Sequence, residues 1–255
     1  MENVDSRETL LLEGISAVSA LIKASELGTA RRRIIRVMIG KKKFSDDFRR
    51  VRFICSAAER LGFEVVAAPD GDGPDAAKGG YSALVTPAVY PGLEELRPEH
   101  SGYSALIEGA EDPYTLAHSI RSLYLCGANS LILPRPLPDG ADAVIARASA
   151  GTSELLPIFV CPVAEAVSAF RTAGYSVAAA AARDAADCDR AEIKFPLLLI
   201  AGGEKRGITR KTLDLCDYSL KIPYGRDALC SLATESAVSV LAYELNRRIR
   251  KKDVQ

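Results

Sequence analysis

The stretch Pro196–Gly207, PLLLIAGGEKRG, contains the residue types in this chain that most directly indicate ligand binding. A continuous apolar run is followed by two glycines, an acid, two bases and a third glycine. Glycines let backbone N–H groups approach a ligand closely and adopt positive φ angles. The spacing fits neither the Walker loop, which needs Gly-Lys-Ser/Thr, nor the GxGxxG dinucleotide fingerprint. Taken alone, the pattern is more typical of a tight strand-to-helix turn that binds nothing.

Basic residues are concentrated in two segments, although the net charge of the 255 residues is zero. Ten Lys or Arg residues lie between Arg31 and Arg52, and only two Asp residues oppose them, so this segment carries +8 and the remainder −8. A second cluster, RRIRKK, occupies 247–252. Segregated charge of this kind is typical of a surface that binds nucleic-acid phosphates. A solvated helix face with a frayed tail is the alternative interpretation.

The composition disfavours several classes of protein and site. The 48% hydrophobic and 26% charged residues are ordinary for a globular protein with one large or two modest domains. No apolar run reaches the roughly 18 residues of a membrane span, and the first residues lack the pattern of a secretion signal. The six cysteines and two histidines lack metal-ligand spacing, so no metal site is expected. Most of the cysteines lie in apolar sequence surroundings and are instead predicted to be buried thiols of a cytoplasmic protein.

The first part of the chain predicts a small α/β unit. Apolar spacing predicts a helix over 14–25, and a β-rich run follows at 33–39. Ser45 is the expected N-cap of a helix that extends to Leu61 and ends at Gly62. A buried strand at 63–67 and another strand at 81–85 flank a turn-rich loop at 70–80. The segment RPEHSG at 97–102 is the predicted boundary between domains 1–98 and 103–255.

From Tyr103 onward, strand and helix signals alternate. The predicted strands cover 104–107, 130–133, 158–161, 175–180, 196–201 and 218–222, and the predicted helices cover 113–126, 141–148, 163–173, 209–215 and 232–250. Such alternation with nearly continuous apolar strands predicts an α/β fold with a parallel sheet covered on both faces. Ligands of such sheets bind beyond the carboxyl ends of the strands.

Three segments in order resemble the SpoU/TrmH family of SPOUT-superfamily RNA methyltransferases. EDPYTLAHSIRS at 111–122 is similar to the family's D-P-x-N-x-G-x-x-x-R-T, and LLIAGGEKRG at 198–207 is similar to its apolar strand followed by G-S-E-G-x-G. IPYGRDALCSLATESAVSVLAYE at 222–244 is similar to I-P-M-x-G-x-x-x-S-L-N-V-S-x-A, with one extra residue before Ser231. The resemblance covers about 103–250. The stretch before it is similar to the small ribosomal-protein-like α/β domain that often precedes the catalytic domain and binds RNA substrate.

The resemblance implies a SPOUT α/β knot, a parallel sheet with a C-terminal trefoil knot that departs from the usual unknotted topology. It also implies bound S-adenosylmethionine and a homodimer with active sites at its interface. A loop around the methionine and ribose parts is implied, with an adenine contact from the Ile222 backbone. The implied cofactor-binding residues are Pro134, Ala201, Gly202, Gly203, Glu204, Gly207, Ile222, Ser231 and Leu232.

The same resemblance implies transfer of a methyl group to a ribose 2′-hydroxyl of rRNA or tRNA. Arg121 matches the catalytic arginine of the family. A guanidinium is a poor base because its pKa exceeds roughly 12, so Arg121 is expected to stabilise the developing alkoxide and to hold a phosphate. Glu204 and Glu235 are the other candidate catalytic residues. Arg31, Arg32, Arg33, Thr115 and Arg121 are the candidate contacts to RNA.

The chain departs from the family pattern where polar helpers are expected. Thr115 and Ala233 replace asparagines, Gly203 replaces a serine, and Glu235 replaces a second serine. Three explanations stay open: Glu235 acts as a base, paired with Arg121; another substrate is methylated; or catalysis is lost while binding remains. An active RNA 2′-O-methyltransferase is the main hypothesis, and a non-catalytic RNA- or cofactor-binding SPOUT protein is the alternative.

Overall fold

The structure is a computed structural model that describes residues 9–69, 77–96, 98–137, 140–226 and 230–252. It divides into two compact units. The first comprises Met1–Val89 and Asp139–Leu155, and the second comprises Tyr90–Pro138 and Leu156–Gln255. Residues 139–155, which the sequence pattern places in the C-terminal domain, therefore pack within the first unit.

The described residues form eleven strands and eight α-helices, with three short 3₁₀ turns between them. The strands are β1 (Leu10–Glu13), β2 (Ile34–Gly40), β3 (Glu64–Ala68), β4 (Tyr81–Val85), β5 (Tyr103–Glu108), β6 (Leu131–Leu133), β7 (Ile158–Val160), β8 (Ser176–Ala180), β9 (Ala186–Asp187), β10 (Leu197–Gly202) and β11 (Tyr218–Lys221). The helices are α1 (Ile15–Glu26), α2 (Lys41–Asp46), α3 (Phe48–Leu61), α4 (Pro113–Leu125), α5 (Ala141–Ala148), α6 (Val163–Thr172), α7 (Arg210–Leu213) and α8 (Thr234–Lys252).

The first unit is built on a four-stranded sheet in the order β1-β4-β2-β3. β4 pairs antiparallel with β1 and β2, whereas β2 and β3 are parallel. The apolar stripe of α1, with Val18, Leu21 and Ile22 fully buried, packs into the core formed with α3 and the sheet. α5 contributes Ala146 to the same core, which explains why this helix belongs to the first unit.

Two expectations for the first unit are wrong. Ser45 does not cap a single long helix, because α2 starts at Lys41 and the helical path breaks at Asp47, where φ is −114° and ψ is 56°. The Asp47 carboxylate instead accepts hydrogen bonds from the Tyr81 hydroxyl and the Arg50 guanidinium, both at 2.9 Å. The strand expected to be buried at 63–67 is the edge strand β3, in which Glu64 and Ala67 are exposed and Val65 and Val66 are only half-buried. Of the predicted loop at 70–80, residues 70–76 lie outside the described residues.

The second unit contains a seven-stranded sheet in the order β7-β6-β5-β10-β8-β11-β9, in which every pair is parallel. This confirms the expected α/β fold with a parallel sheet. β10 lies at the centre, and its residues Leu197–Ala201 are all buried. A strand flanked on both edges by neighbours and covered on both faces needs this continuous apolar run.

Helix α4 begins and ends where the local sequence signals predict. Asp112 is its N-cap, with a side chain that accepts a 2.7 Å hydrogen bond from the Thr115 backbone N–H, and Pro113 occupies the first turn. Gly127, at φ 75°, follows the helix end. The other helices and strands predicted after Tyr103 are present within a few residues, although α7 is a single short turn. Among the described helices, none is both long and apolar enough to cross a membrane.

Candidate functional site

A large open cleft of about 1240 Å³ lies at the carboxyl ends of β8, β10 and β11 in the second unit. Eight of the nine residues expected to bind the cofactor line it: Ala201, Gly202, Gly203, Glu204, Gly207, Ile222, Ser231 and Leu232. They come from three separate segments: the end of β10 with the loop after it, the residue after β11, and two residues shortly before α8. The parallel sheet brings the first two segments together because β10 and β11 end at the same edge. Pro134, the ninth, lines a separate small cavity of about 20 Å³ with Ile107, Gly109 and Leu116.

Two adjacent positions at the end of β10 admit only glycine. A Cβ atom on Gly202 would lie 2.3 Å from the Gly207 carbonyl carbon, and one on Gly203 would lie 2.0 Å from the Gly109 oxygen. The backbone folds back on itself here, with the Gly207 N–H donating to the Gly203 oxygen at 3.1 Å and Gly207 at φ 60°. The segment 203–207 is therefore closed by its own backbone hydrogen bond, and we call residues 202–207 the glycine loop. Gly202 is required because the loop backbone returns to it at Gly207, Gly203 because the Gly109 backbone lies against it, and Gly207 because its φ is positive.

Polar contacts fix this loop to its neighbours. The Gly203 N–H donates to the Glu108 carbonyl at 2.6 Å, and the Thr234 hydroxyl donates to the Gly202 carbonyl at 3.0 Å. Just beyond the loop, the Thr209 N–H and hydroxyl donate to the Glu108 carboxylate at 3.0 and 3.1 Å. Thr234, at the start of α8, thus ties the third motif segment to the second.

Glu111 joins the loop to a neighbouring one. Its carboxylate accepts from the Lys205 ammonium at 2.6 Å and from the Arg135 guanidinium at 3.3 Å. These contacts, chiefly the Lys205 hydrogen bond, hold the pKa of Glu111 below its ordinary value. All three side chains are substantially exposed, so this bridge is screened by water and adds little stability. Lys205 stands where the family pattern has glycine, and its side chain serves this contact.

The opposite wall of the cleft is formed by residues after β11 and before α8. The Tyr224 hydroxyl accepts a 3.0 Å hydrogen bond from the Leu232 N–H, which connects the two halves of this wall. Both Tyr224 and Leu232 are exposed at the cleft surface. Sequence reasoning missed Tyr224, and its only signal was its position next to the Ile-Pro pair of the third motif.

Charged residues at the cleft were also missed. Four arginines and three aspartates line it: Arg183, Arg206, Arg210, Arg226, Asp184, Asp187 and Asp214. Arg206 occupies a variable position of the second motif pattern, and Arg226 stands where the third pattern has glycine. The 180–187 segment belongs to no motif, so the patterns did not mark these charged residues. The mixture of signs can accommodate a ligand that carries both a carboxylate and a cationic group.

The candidate catalytic arginine does not line this cleft. Arg121 lies on the exposed face of α4 together with Tyr114, His118 and Leu125, at helical spacing. α4 packs against α8, and the Ser122 and Ser239 hydroxyls approach to 2.6 Å. Glu235 is half-buried one turn before Ser239, whose hydroxyl donates to its carbonyl. In residues 98–137 and 230–252, Arg121 and Glu235 form no ion pair, so the proposed pairing is absent from this structure.

Two of the predicted RNA contacts have structural partners instead. Arg32 is buried, with a side chain 1% exposed, and it pairs with Glu154 at 3.0 Å and Asp142 at 3.1 Å. Arg31 is half-buried and donates to the Ser153 carbonyl. Only Arg33 of the three is exposed. We therefore assign Arg32 a structural role in the first unit, since a guanidinium enclosed by two carboxylates does not reach a phosphate.

Thr115 has a half-buried side chain in the first turn of α4. Its backbone N–H is engaged by the Asp112 cap, and its carbonyl accepts from the Ser119 hydroxyl at 2.8 Å. These contacts belong to the helix itself. They leave the proposed contact between Thr115 and RNA untested.

Comparison with known proteins shows to which family this chain belongs. The SpoU rRNA Methylase family profile matches residues 104–243, more than half of the chain. The chain belongs to the SpoU rRNA methylase family. As a member, this SpoU protein is an RNA methyltransferase.

Its relatives agree with this assignment. A protein of Staphylococcus haemolyticus (strain JCSC1435), named as a TrmH family tRNA/rRNA methyltransferase, is 29% identical over 175 residues, which span 66% of the SpoU chain and 70% of the relative. A protein of the same name from Staphylococcus aureus (strain MSSA476) is also 29% identical over 175 residues, with the same coverage of both chains.

Solved structures share the fold of the SpoU chain. The SpoU methyltransferase AviRb from Streptomyces viridochromogenes, in complex with AdoMet, has a TM-score of 0.74 at 20% identity and covers 95% of this chain and 91% of its own. An AdoMet-bound rRNA methyltransferase from Sinorhizobium meliloti has a TM-score of 0.75 at 18% identity, and the match covers 96% of this chain and 89% of the Sinorhizobium chain. At these identities the likeness concerns the fold.

Proposed function

We propose that the cleft binds S-adenosylmethionine and that the enzyme methylates a ribose 2′-hydroxyl of rRNA or tRNA. One observation carries this proposal: the second and third motif segments, which are distant in sequence, form the walls of a single cleft at the carboxyl edge of a parallel sheet. Ala201, Ile222 and Leu232 offer apolar surface to an adenine ring. The half-buried backbone of Gly202 and the charged residues that line the cleft suit the polar ends of the cofactor.

The chemistry expected in this cleft concerns mainly alignment. S-adenosylmethionine, when bound, supplies an activated methyl group on a positively charged sulfur. The closed loop at 203–207 and the wall formed by Tyr224 and Leu232 hold their positions through the hydrogen bonds described above. Such prearranged groups hold reacting atoms in line without further reorganisation, which is the main requirement of this reaction.

We propose that a second copy of the chain completes the site, because Arg121 is exposed on α4 and does not line the cleft of its own chain. The exposed faces of α4 and α8 carry large apolar side chains: Tyr114, Leu125, Val240 and Tyr243. Exposed apolar groups on two adjacent helices are typical of an interface between subunits. In a homodimer built on this surface, Arg121 would lie at the interface and could contact the 2′-oxygen and the adjacent phosphate in the partner's site.

Glu235 and Glu204 are proposed to act on the proton of the ribose hydroxyl or on the cofactor. Glu235 lies in the first turn of α8, where the helix N-terminus stabilises a negative side chain. Glu204 is exposed at the cleft surface in the glycine loop. Thr115 is proposed to contact RNA from α4.

We assign the methyltransferase domain to the second unit and RNA recognition to the first. The three motif segments further support a trefoil knot within residues 197–250 as part of the proposal. The six cysteines are free thiols, which suits a protein of the reducing cytoplasm.

Arg121→Ala tests the catalytic assignment. We expect it to abolish tritium transfer from labelled S-adenosylmethionine into total rRNA or tRNA, because the alkoxide loses its cation, while calorimetry shows unchanged cofactor affinity. Arg190→Ala, at an exposed arginine of the same unit, is the matched control. Full activity of the Arg121 variant would remove this residue from catalysis.

The alternative function is a non-catalytic RNA- or cofactor-binding protein, which is favoured by Ala233 and Glu235 in place of the family's polar residues. Wild-type protein that binds S-adenosylmethionine but transfers no methyl group to any separated RNA pool would support it. Failure to bind the cofactor as well would contradict both the enzyme and the cofactor-binding alternative.

A further inference from the structure

The basic segment 31–52 splits into two parts with different environments. At the start of the segment, Arg31 and Arg32 contact other residues of the first unit. Further along, Arg36 pairs with Glu64 at 2.6 Å and Arg50 pairs with Asp47 at 2.9 Å. Four exposed basic residues of α2 and α3 form no ion pair within the described ranges: Lys41, Lys43, Arg49 and Arg52.

Exposed aromatic rings accompany these basic residues. Phe48 is 71% exposed and Phe53 is 41% exposed, both on α3, and Phe44 of α2 is 40% exposed. The apolar side of α3, formed by Val51, Ile54 and Ala57, is buried in the core. The phenylalanines therefore lie on the outer side of the helix and contribute little to the core.

The spacing places rings and charges side by side. Phe48 and Arg52 are separated by four residues, as are Arg49 and Phe53, so each ring neighbours a guanidinium on the helix surface. We call Phe48, Arg49, Arg52 and Phe53 the α3 face. An exposed phenylalanine costs solubility, and two of them beside arginines suit a ligand that is both anionic and aromatic.

We propose that the α3 face binds RNA with unpaired bases, the guanidinium groups contacting phosphates and the two rings stacking on bases. Arginine and lysine neutralise the phosphate backbone, and phenylalanine rings stack on bases that are free of a helix. Double-stranded RNA would satisfy the charges only, because its bases are already stacked. This inference rests on the proposed function, which identifies RNA as the partner. It adds that the α3 face binds the RNA and that the bound RNA has unpaired bases.

A lipid surface fits the same residues less well. A membrane-surface helix turns a continuous apolar face toward lipid and keeps its charges on the other side. On α3 the continuous apolar face is buried, and Arg49 and Arg52 lie among the exposed rings. An acidic protein partner would be attracted by the charges but would give no preference for unpaired bases.

The test compares two RNA probes of equal length and charge, a stem-loop and a blunt duplex, by fluorescence anisotropy with the full chain. We expect Phe48→Ala/Phe53→Ala to weaken stem-loop binding at least about five-fold per stacked base while duplex binding and its salt slope stay unchanged. We expect Arg49→Gln/Arg52→Gln to weaken both probes and to reduce the salt slope for the stem-loop by about 1.4, or roughly 0.7 for each phosphate that is no longer neutralised.

Lys23→Gln/Leu27→Ala is the matched control, since it removes one exposed charge and one exposed apolar side chain at the same spacing from the region of α1. It should bind both probes like the wild type. Circular dichroism should show all variants folded, because the substituted side chains are exposed. Equal weakening of stem-loop and duplex by the phenylalanine substitutions would overturn the stacking assignment.

Two further outcomes would refute the inference. Unchanged RNA binding in both double variants would exclude the α3 face as an RNA surface. Binding to phosphatidylserine vesicles that depends on Phe48, without an effect on RNA, would assign the face to lipid. Cofactor calorimetry separates this inference from the proposed function. Weakened RNA binding with normal S-adenosylmethionine binding in the α3 variants concerns the α3 face alone. Conversely, a wild-type protein that transfers no methyl group can still bind RNA at the α3 face.

Discussion

Restoring the serine that the family pattern has at position 203 should damage this particular enzyme. Any side chain at Gly203 places a Cβ atom 2.0 Å from the Gly109 oxygen and 2.3 Å from its carbonyl carbon. Ordinary contact begins at 3.4 Å, so the two backbones must separate by about 1.4 Å, the difference between 3.4 and 2.0 Å. Both partners are backbone atoms, which cannot rotate away as a flexible side chain would.

The expected cost has two sources. Forcing an extra atom into a closed backbone contact costs about 1–3 kcal/mol. The 2.6 Å hydrogen bond from the Gly203 N–H to the Glu108 carbonyl is broken or stretched, which costs roughly 1 kcal/mol more. Together the variant loses about 2–4 kcal/mol, and at roughly 2–4 °C per kcal/mol its melting temperature falls by about 5–15 °C.

Gly203→Ser should therefore be measured by thermal unfolding, by calorimetry with S-adenosylmethionine and by methyl transfer. Because the loop lines the proposed cofactor cleft, its displacement should weaken cofactor binding, and misalignment by about 1 Å should reduce transfer about a hundred-fold. Gly225→Ala is the control for stability: its Cβ meets nothing within 4 Å and its φ is not positive, so melting should be unchanged or slightly raised. Unchanged melting and cofactor affinity in the serine variant would refute the reasoning.

Three other consequences of the structure can be checked. Arg32→Gln should lower the free energy of unfolding by about 3–5 kcal/mol in denaturant titration, because it leaves buried carboxylate charge without its partner; unchanged stability would contradict the buried ion pairs. Thr234→Val, which removes one hydrogen bond to the glycine loop, should cost about 1 kcal/mol and weaken cofactor binding in calorimetry. Burial raises the pKa of Cys161 and of Cys216 to about 11, so both thiols are mostly protonated at pH 8. They should react with a thiol reagent more slowly than the exposed Cys230 at pH 8, and their rates should rise with pH; equal rates for all three thiols at pH 8 would be inconsistent with this.

Local signals explain why much of the fold was predictable. The helix limits of α4 follow from Asp112, Pro113 and Gly127, and the central strand β10 follows from an uninterrupted apolar run. The break between α2 and α3 was not predictable, because it depends on a hydrogen bond from Tyr81, which is distant in sequence. The edge position of β3 depends in the same way on strand order, which a local pattern does not contain.

The candidate site was predictable only in part for a related reason. The glycine loop and the segments at 222 and 231–234 were indicated by their motif patterns. Tyr224 and the arginines at 183, 206, 210 and 226 were not, because neither their type nor their spacing distinguishes them from ordinary surface residues. Arg32, in contrast, was predicted to contact RNA but is buried in ion pairs. A run of arginines in the sequence does not show which of them carboxylates enclose.

By itself, the sequence determined the family, the α/β class and the glycine loop, because these depend on residue order and on backbone requirements that are local. Only the tertiary structure decided which charged residues are buried or exposed and which glycines lie in close backbone contacts. It enclosed Arg32, left the α3 face exposed and kept Arg121 out of the cleft lining. It also brought Gly203 against Gly109 so closely that no side chain fits. Burial and contact between distant segments are properties of packing, and they appear only when the chain is folded.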